Sequence, residues 1–170
     1  MSELRKSQRK ESKLQAIHEA YKIRKSVTIL AENNFYITLS KVETQISSKT
    51  AGRTEEDKKL IRDNMYKFYR KQINRISDNA INLATGITRH LRMANTIFPT
   101  YMSEFEERRL HMDKAMECCN ALQDELQYAG ECLYSDLNKY TNLVLQIQKE
   151  FNIIKKLRQA DNRFLKDIQK

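Results

Sequence analysis

Only three glycines and one proline punctuate this chain of 170 residues, where average usage would be about 7% and about 5%. Tight turns draw on glycine for positive φ and on proline for a fixed φ, so a sequence this poor in both cannot be assembled from hairpins. Leu, Lys, Glu, Gln, Arg, Met and Ala, which make up much of the remainder, favour long helices. The expectation is an all-α fold. With 40% apolar residues the chain can bury a core of its own.

Hydrophobic spacing divides the chain into helices. Thr54, followed by Glu55, Glu56 and Asp57, places a cap and three acids at the positive end of a helix macrodipole. From there Ile61, Met65, Phe68, Ile73, Ile76, Ala80, Leu83, Ile87, Leu91, Ala94 and Phe98 keep a helical beat until Pro99 stops it. So long a helix is expected to project past its neighbours or to break near residues 74–79. The next helix is expected to start at Ser103, in a capping box with Glu106, and to direct Phe105, Met112, Met116, Cys119, Leu122, Leu126 and Ala129 one way. A last helix over about 136–164 carries the stripe Leu133, Leu137, Tyr140, Val144, Ile147, Phe151 and Ile154, with Ser135 or Asp136 to cap it. The short link between the last two makes them an antiparallel pair. Upstream, Leu14, Ile17 and Tyr21 are in helical phase before the segment turns β-branched, and it reads as one further helix. "SSKTAG", ending at Gly52, is the strongest loop signal. The reading is thus an antiparallel four-helix bundle with a long second helix, divided into a basic, partly helical extension at 1–52 and a bundle domain at 53–170.

Chemical motifs are sparse. A di-iron carboxylate bundle needs Glu-x-x-His pairs on two helices, but Glu107 and His111 are four apart, His90 has no acid shortly before it, and Glu150 stands alone among apolar residues. There is no G-x-S-x-G, no phosphate-cradling glycine loop and no H-E-x-x-H. No catalytic residue, metal ligand or cofactor is assigned, and the expectation is a protein that is not an enzyme. His90 and His111 read as surface or hydrogen-bonded residues. Cys118 and Cys132, fourteen positions apart on one helix, stand about 21 Å apart, beyond disulfide reach. With Cys119 they read as reduced thiols and buried small hydrophobes. The opening "MSELRKSQRKESK" has no apolar run behind it and no stretch approaches a membrane span. A cytoplasmic protein without a membrane partner is expected.

Charge remains. The net charge is +9, and Lys plus Arg exceed Asp plus Glu by eight to three over residues 1–30, ten to seven over 31–80 and eight to five over 131–170. Lys67, Lys71 and Arg75 recur every four residues with Arg70 beside them; Arg89 and Arg92 form a second group, and Lys155, Lys156, Arg158 and Arg163 a third. Such a field attracts polyanions and releases counterions on binding, so RNA or DNA is the natural partner class. Tyr66, Phe68 and Tyr69 could stack bases but read as packing residues. Arg158 continues the apolar stripe after Ile154 and needs a partner, for which Asp161 lies one turn on. Arg109 falls likewise between Phe105 and Met112. These three read as a structural latch or an oligomer contact.

The passages "RHLRMANTIFPT" (89–100), "ERRLHMDKAMECCNALQDELQ" (107–127), "DLNKY" (136–140) and "KKLRQADNR" (155–163) resemble a family of small four-helix-bundle proteins. The family includes proteins encoded in ribosomal-RNA intervening sequences and the accessory variability determinants of diversity-generating retroelements. The similarity spans roughly residues 68–164. It implies a positively charged, non-enzymatic bundle, commonly a homopentamer. In the retroelement branch it implies association with a reverse transcriptase and its template RNA in mutagenic complementary-DNA synthesis. Arg89, Arg92, Lys155, Lys156, Arg158 and Arg163 are the basic residues it carries over. The chain departs from the family's compact pattern by its long basic extension.

Overall fold

The computed structural model describes residues 2–168, with side chains from Gln15 onward except those of Leu137 and Asp167. The placements expected for Leu14 and Leu137 lie outside the described side chains. The fold is all-helical. Its helices are α1 (Ser2–Glu32), α2 (Leu39–Thr50), α3 (Glu55–Thr96), α4 (Met102–Cys132), α5 (Thr141–Ala160) and α6 (Leu165–Ile168), and short 3₁₀ turns lie at Asn34–Tyr36, Leu137–Lys139 and Asp161–Phe164. Among the described residues no helix is long and apolar enough to cross a membrane.

The helices pack by their apolar stripes. Ala16, Ala20, Ile23, Val27 and Leu30 line the inner face of α1, while Ile76, Ala80, Ala84, Ile87, Leu91 and Ala94 line that of α3. Ala115, Cys119, Leu122 and Leu126 from α4 and Leu143, Ile147 and Ile154 from α5 complete the core. α3 packs on α1 and α4, and α5 packs on α4 and α1, which closes a ring of four. Cross-helix bonds fix the directions. Asn79 meets Glu125 and His90 meets His111, so α3 and α4 are antiparallel; Gln123 meets Gln148 and Arg158 meets Asp113, so α4 and α5 are too. At the α3–α4 crossing Gly86 leaves room for a thiol, because a Cβ there would lie 2.8 Å from the Cys118 Sγ.

α3 is one unbroken helix of 42 residues, with no interruption at 74–79. Thr54 caps it, its Oγ1 accepting from the Asp57 amide at 3.3 Å, as the sequence indicates. Because α4 ends near the level of Gln72, the first turns of α3 run past it and have α2 alongside instead, where Tyr66 bonds Glu43 and Tyr69 donates to Gln45 Oε1 at 3.1 Å.

Three boundaries differ from expectation. α4 starts at Met102, and Glu104, rather than Glu106, reaches back to accept from the Thr100 and Tyr101 amides at 2.7 and 3.1 Å. The earlier start satisfies amides directly after the Pro99 corner. α5 starts at Thr141, because Asp136 Oδ1 accepts from the Asn138 amide at 3.1 Å and holds a tight turn there. The last helix also tightens into 3₁₀ form from Asp161. The segment expected to form one helix before Gly52 is two, separated by a left-handed turn in which Asn34, Phe35 and Tyr36 have φ of 49°, 55° and 51°.

That turn is held from below. Phe35 is fully buried, its ring meets Tyr140 edge-on at 6.5 Å, and its carbonyl accepts from the Tyr140 hydroxyl at 2.7 Å. Ile37 adds an isolated bridge to Ser135. Asparagine tolerates this conformation, whereas a β-branched residue is penalised by about 1–2 kcal/mol. Asn34→Val is therefore expected to lower the unfolding free energy by about 1–2 kcal/mol in urea titrations, and Asn34→Gly to leave it unchanged or raise it.

Candidate nucleic-acid interface

The buried stripe of α3 leaves its opposite face to solvent, and that face is basic. Over residues 64–96 there are six cations, Lys67, Arg70, Lys71, Arg75, Arg89 and Arg92, and one acid, Asp78. All six cations are exposed. At about 100° per residue they fall within an arc of about 140°. Among the described residues Lys67, Arg70, Lys71, Arg75 and Arg89 make no ion pair. Arg92 is engaged differently: it donates to the Tyr21 hydroxyl and lies 5.2 Å from the centre of that ring, tying α3 to α1.

The third basic group is not part of this face. Lys155 and Lys156 are exposed on α5, which lies across the ring from α3. Arg163 sits half-buried over the Phe164 ring at 4.9 Å, in the turn that meets the end of α3 through the Phe98–Phe164 contact. The aromatic residues near Lys67 also depart from expectation. Tyr69 is buried, but Tyr66 is 39% exposed and Phe68 57% exposed, because the overhanging part of α3 has a neighbour on one side only.

The latch forms from different partners than the sequence suggests. Arg158 does not pair with Asp161 but crosses to Asp113 on α4, its Nη2 donating to Oδ2 at 3.0 Å. Asp161 instead receives Arg108, which is 2% exposed. Arg108 donates from Nε to Asp161 Oδ2 at 2.5 Å and from Nη1 to the carbonyls of Ala94 and Ile97 at 2.5 and 2.7 Å. One guanidinium thus closes the carbonyl end of α3, α4 and the chain after α5 together. Arg109 is half-buried over the Phe105 ring at 5.2 Å and donates to Asn162 Oδ1 at 2.6 Å.

His90 and His111 stack with their rings 26° apart and share a 3.2 Å contact between Nδ1 atoms. Burial lowers the His90 pKa, and His111, Arg89 and Lys114 lower it further against an opposing effect of Glu117, so His90 is neutral at pH 7 and one ring donates while the other accepts. Among the described residues no cluster of three or more His, Cys, Asp or Glu side chains could hold a metal ion. Burial pushes the thiols of Cys118 and Cys119 upward, so neither is a nucleophile near neutral pH.

Glu150 is another polar residue of the core that helical spacing did not place. It is fully buried on α5 between Ile147 and Ile154, and neither carboxyl oxygen has a hydrogen-bond partner. Burial pushes its pKa up to about 8, with Glu19 of α1 adding to the effect and Lys149 opposing it. At neutral pH it is held as the acid.

Comparison with protein-family models, with curated proteins and with solved structures found no match.

Two outcomes follow from these buried groups. Arg108→Ala strands the Asp161 carboxylate and two carbonyls, and is expected to lower stability by about 3–5 kcal/mol. Replacing Arg108 and Asp161 together by leucine should cost less than the single change in the same urea titrations. For Glu150, the folded carboxyl keeps a proton that the unfolded one releases near pH 4.5. The resulting stability is full below that pH and declines as pH rises towards 8, by up to about 1.4 kcal/mol per unit. Glu150→Gln should flatten that slope relative to the parent when urea midpoints are compared at pH 5, 6.5 and 8.

Proposed function

We propose that the protein is a non-enzymatic accessory protein that binds RNA or DNA along the outward face of α3. The observation that carries the reading is the row of exposed cations from Lys67 to Arg92, five of them without an ion pair among the described residues. At 1.5 Å per residue the row is about 38 Å long, close to one turn of duplex. A continuous helix holds those charges at fixed intervals, so phosphates along a backbone can be engaged together and their counterions released. Lys155, Lys156 and Arg163 form a second, separate basic area in this reading.

The ring of α1, α3, α4 and α5 supports the four-helix-bundle reading with α3 as the long second helix, and α1, from the stretch read as a basic extension, supplies the first helix of that ring. Together with the resemblance of residues 68–164 to the retroelement accessory determinants, it supports a cytoplasmic homo-oligomer, a pentamer in the family's pattern. Such an assembly would hold template RNA for a reverse transcriptase or other polymerase.

A second reading, a helical scaffold that binds protein and no nucleic acid, is favoured by the overhang of α3. Leu60 and Phe68 are exposed there, and a groove of about 500 Å³ runs between Ile61, Met65, Phe68 and Tyr134.

Titration of a labelled structured RNA and a matched DNA duplex across a salt series separates the two. The nucleic-acid reading expects log affinity to fall with log salt with a slope worth about five or more phosphates. Charge reversal at Lys67, Lys71 and Arg75 should weaken binding at least tenfold and reduce that slope. No affinity at low salt would reject it, and loss of binding to a purified reverse transcriptase on the same charge reversal, in a protein that binds neither nucleic acid, would support the scaffold.

A further inference from the structure

The left-handed turn that separates α1 from α2 forms one wall of a cleft of about 550 Å³. The opposite wall is α3 from Tyr66 to Asn74, and Lys139 reaches in from the turn before α5. Its volume lies within the range of small-molecule sites. Val42, Ile37 and Ile73 contribute apolar surface, three tyrosines and three asparagines stand around them, and among the described residues no acidic side chain lines the cleft.

The placement of the polar groups is specific. Arg70 is exposed and makes no ion pair or hydrogen bond among the described residues. The Lys139 ammonium lies 4.3 Å from the centre of the Tyr36 ring, which holds that cation at the cleft. The Tyr66 ring is held by its bond to Glu43, a carboxylate that also meets Arg62 at 3.6 Å. Asn34 and Asn74 offer amides that both donate and accept, the capacity needed to read a base edge.

The wall is also built in advance. Three successive residues with positive φ persist because Phe35 is anchored beneath them by its packing and by the Tyr140 hydroxyl, and strain of this kind gathers where a ligand is clamped. A preformed wall spares the ordering cost of binding. Arg70 lies in the basic row of α3 as well as in the cleft, so a strand whose phosphates follow Lys71 and Lys67 arrives at the opening.

We infer that this cleft takes one unstacked nucleotide of a single-stranded nucleic acid. Its base lies against the Tyr66 ring and its phosphate between Arg70 and the Lys139 ammonium held over Tyr36. The inference rests on the nucleic-acid reading of α3 and adds to it a preference for single strands, since a paired and stacked base cannot enter the cleft.

The test is fluorescence anisotropy with a labelled twelve-nucleotide single-stranded RNA and a duplex of the same length, at several salt concentrations. Tyr66→Leu is expected to reduce single-strand affinity about tenfold, the effect of removing one stacking platform, with the salt slope and the duplex affinity unchanged. Tyr66→Phe, which keeps the ring and loses only the bond to Glu43, should bind as the parent does. Arg70→Ser should weaken single-strand binding and lower the salt slope by about one phosphate. Circular-dichroism melts establish that each variant is folded. If the parent binds both nucleic acids in a salt-dependent manner but Tyr66→Leu and Asn74→Leu change single-strand affinity less than twofold, the cleft assignment is wrong while the α3 reading stands. If the parent binds neither nucleic acid at low salt, both fall together.

Discussion

The guanidinium of Arg108 sits where three parts of the chain would otherwise end badly. α3 terminates before Pro99 with carbonyls that have no amide ahead of them, the chain after α5 brings in a buried carboxylate, and α4 must pass between the two. Arg108 satisfies the Ala94 and Ile97 carbonyls and Asp161 at once. Five fixed N–H donors on a planar fork suit this task, which a lysine ammonium could not perform with the same geometry. The register of α3 against α4 and of α4 against α5 both converge on this residue. From there the antiparallel contacts run outward to His90–His111, Gly86–Cys118 and Asn79–Glu125.

At the other end of the molecule the helices are unequal in length. α4 stops while α3 continues, and α2 folds back to cover one side of the remainder. That mismatch exposes Phe68 and Tyr66 and gives the left-handed turn a wall of α3 to face. The basic row and the cleft are therefore consequences of one arrangement: a helix longer than its partners keeps a charged face along its whole length and gains a recess where its neighbours end.

Much of the helical layout could be read from residue types alone. Thr54 with three acids after it marks the start of α3, Pro99 marks its end, and the scarcity of glycine and proline excludes a β fold. The stripes of α3 and α4 were legible because their core positions are mostly apolar. Legibility failed where a polar residue took an inner position. Arg108 and Arg109 are adjacent, and spacing could not say which of two residues about 100° apart points inward when the deciding partner is Asp161 on another helix. Glu150 was visible as a carboxyl among apolar neighbours, but apolar periodicity has no way to register an acid that burial keeps neutral. Phe68 shows a similar limit: helical spacing puts it on the inner stripe, but the absence of a neighbour beside the overhang leaves it exposed. The left-handed turn followed an Asn-Asn pair whose turn signal was obscured by the β-branched residues around it. The basic face of α3 was legible residue by residue, but its separation from Lys155 and Lys156 depends on which helices are neighbours.

Closure of the ring between α1 and α5 joins segments that α2, α3 and α4 separate along the chain. Until α5 leaves the ribosome, the inner face of α1 has α3 on one side and nothing on the other, and Arg108 is a charged group awaiting a partner 53 positions downstream. A nascent chain thus carries an uncovered apolar stripe and an unpaired cation until residues 141–161 have been made, and both are resolved when that stretch packs. Translation order makes residues 141–161 the part that commits those before it.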